Sequence, residues 1–109
     1  MMKDIIGLVL CDFRTDRVEV HVQADYCNGK LTISGQDLGP SVEAFWGDSD
    51  YEYWYSFDKE NTEKLLSAIH GKHDPETALL REFSGEGGCR ALRKICEKNG
   101  IRYRFDSWV

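Results

Sequence analysis

The chain has 109 residues, 41% of them hydrophobic, enough for one core and one domain over residues 1–109 and too little for two. Its formal charge of −5 argues against non-specific binding to nucleic acid or an anionic membrane, since both need clustered Lys and Arg, and favours a basic partner. The charge is uneven: residues 1–58 carry four basic and eleven acidic side chains, residues 81–106 seven basic and four acidic.

The first apolar stretch, residues 5–13, is too short for a membrane span or an export signal and reads as a strand covered on both faces. Without an export signal the expected location is the reducing cytoplasm, where Cys11, Cys27, Cys89 and Cys96 stay free thiols. After the polar turn Arg14-Thr15-Asp16-Arg17, a second strand alternates Val18, Val20, Val22 and Ala24 with Glu19, His21, Gln23 and Asp25, so one face is wet.

Asn28-Gly29 accepts the positive φ angles of a type I′ turn. That turn pairs Cys27 with Lys30, Tyr26 with Leu31 and Ala24 with Ile33, which puts the apolar residues of both strands on one face. A short helical turn over residues 41–45 follows Gly39-Pro40, and residues 51–57 form a fourth strand with aromatic residues on both faces.

Three helices come next. Asp58 caps the first, with Glu60 and Lys64 one turn apart, and Asp74-Pro75 opens the second, striped with Leu79, Leu80 and Phe83. The third places Cys89, Leu92, Ile95 and Cys96 on one face and closes at Asn99-Gly100. Ile101, Tyr103 and Phe105 then alternate with charged residues as a last strand. Four strands, three helices and a strand predict an α+β domain, a mainly antiparallel sheet with about three helices packed on one face.

No complete catalytic motif is present. Gly87-Gly88-Cys89 lacks the Lys-Ser or Lys-Thr of a phosphate loop, and a phosphatase-type Cys followed by Arg fails because Ile95 stands in the arginine's place. Cys89 shares the stripe of Leu92 and Cys96 and reads as a core residue. His70 and His73 read as exposed loop residues, and Asp48-Ser49-Asp50-Tyr51-Glu52 departs from a calcium loop at Tyr53 and Trp54. No cofactor is implied.

The densest cluster of titratable and aromatic residues gives the candidate interaction surface: Gln36, Asp37, Glu43, Trp46, Asp48, Asp50, Glu52 and Trp54. Aromatic anchors among carboxylates suit a basic protein partner. Asp48, Asp50 and Glu52 share a face if the fourth strand starts early, and His21 lies near Gln36 in the hairpin register. The glycines of Ser34-Gly35-Gln36-Asp37-Leu38-Gly39-Pro40 also have a turn role: positive φ at Gly35, Gly39 and Gly47, with Asp37 capping the turn towards Pro40.

This segment, together with Glu43-Ala44-Phe45-Trp46-Gly47 and Tyr51-Glu52-Tyr53-Trp54, resembles a group of short uncharacterised bacterial proteins. The resemblance extends into Leu65-Leu66 and Trp108 and implies bacterial origin, with no activity to carry onto any residue.

The sequence therefore supports a small acidic cytoplasmic interaction module, a monomer or small homo-oligomer, of the kind that neutralises a basic protein as immunity proteins do. The alternative is a small enzyme or a ligand- or metal-binding protein that uses Asp37, Glu43, Asp48, Asp50 and Glu52 with His21.

Overall fold

The computed structural model describes residues 3–47 and 50–108. Nine elements follow one another: β1 (Ile5–Arg14), β2 (Glu19–Cys27), β3 (Lys30–Leu38), α1 (Pro40–Trp46), β4 (Asp50–Phe57), α2 (Lys59–Ala68), α3 (Pro75–Phe83), α4 (Gly88–Asn99) and β5 (Arg104–Trp108). The strands form one antiparallel sheet in the spatial order β1-β2-β3-β4-β5, so every strand lies beside its predecessor in sequence. The fold is α+β, with one helix more than the three expected; the extra one, α1, extends the short helical turn after Gly39.

The β2–β3 hairpin has the register its turn chemistry dictates. Asn28 and Gly29 take φ of 53° and 77°, and Cys27 pairs with Lys30, Tyr26 with Leu31 and Ala24 with Ile33. Helices α2, α3 and α4 cover one face of the sheet and bury Val22, Ala24, Leu31, Ile33, Tyr53, Tyr55 and Phe57 against Leu65, Leu79, Phe83 and Leu92. The Asp58 carboxylate accepts the Asn61 N–H at 2.8 Å and Asp74 accepts that of Thr77 at 3.2 Å, so both side-chain caps form. Gly100, at φ 63°, closes α4 in the left-handed conformation.

Two buried polar residues of α2 tie the layers together. Thr62 Oγ1 accepts the Leu31 N–H at 3.0 Å and faces the Phe57 carbonyl, while Asn61 Oδ1 accepts the Arg102 N–H at 2.8 Å. These bonds satisfy backbone groups of β3 and of the approach to β5 that would otherwise be stranded beneath the helix layer.

Three expectations change. β1 is an edge strand with one face uncovered, leaving Ile6 and Val9 73% and 57% exposed; a meander with tight turns puts its first strand at the border, where among the described residues no helix reaches the second face. β4 alternates, its Tyr53, Tyr55 and Phe57 buried and Trp54 half-buried on the other side, so burial is one-sided. The last strand starts at Arg104 because Ile101 is a buried plug whose N–H bonds the Cys96 carbonyl, and the Arg102 N–H is taken by Asn61.

Candidate functional site: the uncovered face of the sheet

Side chains alternate across a strand, so each strand that feeds the core also presents a second row to the open side. Directly paired residues share a face, which aligns Asp12, His21, Gln36, Glu52 and Trp108 in one row across all five strands. The next row reads Val9, Gln23, Ser34, Trp54 and Asp106. Between the two rows is a depression of about 310 Å³, lined by Val9, Asp12, His21, Gln23, Ser34, Gln36, Glu52 and Trp54. Its depth follows from residue size: Ser34 and the Gly35 backbone form a low floor beneath the taller Trp54 on one side and Gln23 and His21 on the other.

The face is acidic. It gathers Asp12, Glu19, Asp25, Asp50, Glu52 and Asp106, while its cations are largely engaged by these groups. Arg14 contacts Glu19 at 2.8 Å and Arg104 contacts Asp106 at 3.0 Å. The Arg14 guanidinium, followed by His21, holds the Glu19 carboxyl below the usual carboxylate range. His21 is spanned by two carboxylates, Nδ1 at 3.0 Å from Asp12 and Nε2 at 3.0 Å from Glu19. With both ring nitrogens engaged by carboxylates, His21 has none directed at a ligand in this arrangement.

Gln36 organises the opposite wall. Its Nε2 donates to Asp50 Oδ1 at 3.2 Å and to Glu52 Oε1 at 3.4 Å, so one amide gathers two carboxylates from β4. Among the described residues no Lys or Arg lies within ion-pair distance of Glu52.

Of the eight residues read from the sequence as one surface, Gln36, Asp50, Glu52 and Trp54 stand together on the open face. Asp37 points to the helix side, where its Oδ1 accepts the Tyr53 hydroxyl at 3.5 Å; α1 has no side-chain cap. Burial raises the Asp37 carboxyl above its ordinary pKa, with the Tyr53 bond opposing. Glu43 is exposed on α1, and Trp46 stacks on Tyr51 with centroids 4.7 Å apart, at the start of an aromatic ladder through Tyr53 and Tyr55 to Phe105. Asp48 lies outside the described residues. The alternation rule explains the division: neighbours in sequence, such as Gln36 and Asp37, face opposite ways.

Gly39 and Gly47 have the expected positive φ, 115° and 81°. Gly35 does not; a Cβ there would overlap the phenol end of the Tyr53 side chain, which crosses the strand at that point. Cys89 sits beside Tyr53 at a helix-side recess, and burial pushes its thiol pKa up, the opposite of an activated nucleophile. His70 and His73 are exposed. Among the described residues no group of three His, Cys, Asp or Glu side chains is placed to hold a metal ion, and no helix is long and apolar enough to cross a membrane.

Asp12, Gln23 and Ser34 belong to this surface but stand outside the eight residues read from the sequence, although Gln23 lies beside His21 on the wet face of β2. The hairpin register already placed Gln23 opposite Ser34 and His21 opposite Gln36. Asp12 was hidden by two irregularities in β1, between Ile5 and Leu8 and between Val9 and Cys11, which shift its pairing with β2. Comparison with known proteins gives no match, whether to a family model, a curated protein or a solved structure.

Proposed function

We propose that the protein is a small cytoplasmic interaction module that docks a basic protein on the uncovered face of its sheet, acting as an antagonist in the manner of acidic immunity proteins. The observation that carries this reading is the composition of that face. Six carboxylates and two tryptophans, Trp54 and Trp108, occupy the sheet surface opposite the one that α2, α3 and α4 cover. Carboxylates accelerate encounter with a basic surface, and half-buried or exposed indoles supply the apolar anchor area that charge alone does not.

The test is capture of partners by the tagged protein at low salt, followed by elution on a salt gradient. A stoichiometric basic protein that elutes steeply with salt, and is no longer retained by the Glu52→Gln/Trp54→Ala double variant, is the expected result. The Glu60→Gln variant, on the exposed side of α2, retains it. Salt-independent retention, or equal retention by all three proteins, contradicts the proposal.

The reading of the same surface as a small-ligand site draws on the 310 Å³ depression. A metabolite or divalent metal that raises Tm, with the rise abolished by Glu52→Gln, would favour it over protein docking. The division of Asp37 and Glu43 from Asp50 and Glu52 speaks against an acid-base site built from the whole carboxylate cluster.

A further inference from the structure

Resting on the docking surface proposed above, we infer that the depression over Ser34 receives an arginine side chain of the basic partner, its guanidinium lying on the Trp54 indole and hydrogen-bonded to the Glu52 carboxylate. At about 310 Å³ the depression is at the small end of ligand-binding cavities, a size that suits one long side chain and is too small for a helix or a strand.

Each wall has a separate chemical reason to select a flat cation. Trp54 is half-buried and rises beside the small Ser34, so one flank of the depression is an indole, the aromatic group with the strongest attraction for a cation. Glu52 is two residues away on the same strand and the same face, and the Gln36 amide orients it without neutralising it. A carboxylate bonded to one neutral N–H keeps further acceptor positions, enough for a guanidinium fork.

On the far wall the imidazole of His21 stands between the Asp12 and Glu19 carboxylates, so that side too is bordered by groups that attract a cation. Arginine fits these walls better than lysine because its planar group can stack and bond in a fork at once, whereas an ammonium is a strongly hydrated point charge.

The experiment titrates the isotopically labelled full chain with acetyl-Gly-Arg-Gly-amide, and with the same peptide carrying Lys or the neutral isostere citrulline, and follows the Trp54 indole N–H and the Ser34 amide by NMR. The expected result is a saturable shift of both signals with the arginine peptide at millimolar concentration, at least fivefold weaker binding of the lysine peptide and no shift with citrulline. Glu52→Gln and Trp54→Leu each weaken the arginine peptide at least fivefold, while Glu60→Gln leaves it unchanged. Equal binding of the arginine and lysine peptides with no response from Trp54 overturns the arginine site and leaves acidic-face docking standing. Absence of any saturable shift also overturns it, and the capture experiment then decides the docking surface independently.

Discussion

The two faces of the sheet are made from the same strands and obey different chemistry. On the helix side Leu31, Ile33, Tyr53, Tyr55 and Phe57 are at most 9% exposed, and an aromatic ladder runs from Trp46 to Phe105. On the other side, one residue away along each chain, stand Thr32, Ser34, Gln36, Glu52 and Trp54, none of them buried. Asp37 apart, the first face is explained by packing. The second carries a concentration of like charge that packing does not require and that costs stability through self-repulsion, and the docking proposal addresses that surplus.

Truncations one position apart on β3 should separate the faces most sharply. Ile33→Ala removes a side chain that is 1% exposed and is expected to destabilise the fold by about 2–5 kcal/mol in denaturant unfolding. Ser34→Ala, its neighbour on the open face, should change stability by less than about 0.5 kcal/mol. Comparable losses at the two positions would refute the one-sided core.

Gly35→Ala is expected to cost about 1–3 kcal/mol, since the new methyl group displaces the Tyr53 ring. Tyr53→Leu in the same chain should recover part of that loss, because it removes the ring the methyl group meets; if the double variant is merely additive, the close approach is not the cause. Thr62→Val leaves the Leu31 N–H without its acceptor beneath α2 and should cost about 1–3 kcal/mol.

Much of the covered face could be read from the chain itself, because its signals are local. Asn28-Gly29 fixes a register, and that register brings Val20, Val22, Ala24, Leu31 and Ile33 to one side. The caps at Asp58 and Asp74 and the stripe through Cys89, Leu92 and Cys96 are equally local. The open face was less legible. Its row from Asp12 to Trp108 exists only after four strand pairings are known, and two bulges in β1 break the simple count. Trp46 and Trp54 looked equivalent in sequence; the first ends α1 and stacks on Tyr51, while the second lies in β4 and faces the depression.

Acid should act differently on two carboxylates outside the depression. The Asn61 backbone N–H and side chain hold Asp58 below the ordinary carboxylate pKa, so its cap contributes fully above that ordinary value and the contribution fades as pH falls through the lowered one. Asp58→Asn, which still caps, should flatten the acid limb of a plot of stability against pH; an unchanged limb would remove this cap from the account.

Asp37 has the opposite sign: burial raises its pKa, so the folded state loses stability as pH climbs from the ordinary carboxylate value to the raised one. Asp37→Asn should therefore raise Tm slightly at neutral pH and leave it unchanged in acid, the smallest effect expected here. A lower Tm at neutral pH would mean that the Tyr53 bond outweighs burial.

The most direct measurement is an NMR footprint of the basic partner recovered by capture, recorded on the backbone amides and indole N–H groups of the full chain. The account predicts shifts concentrated at Asp12, His21, Ser34, Gln36, Glu52 and Trp54, with the outer surfaces of α2 and α3 unaffected. A footprint confined to the helix layer would contradict it.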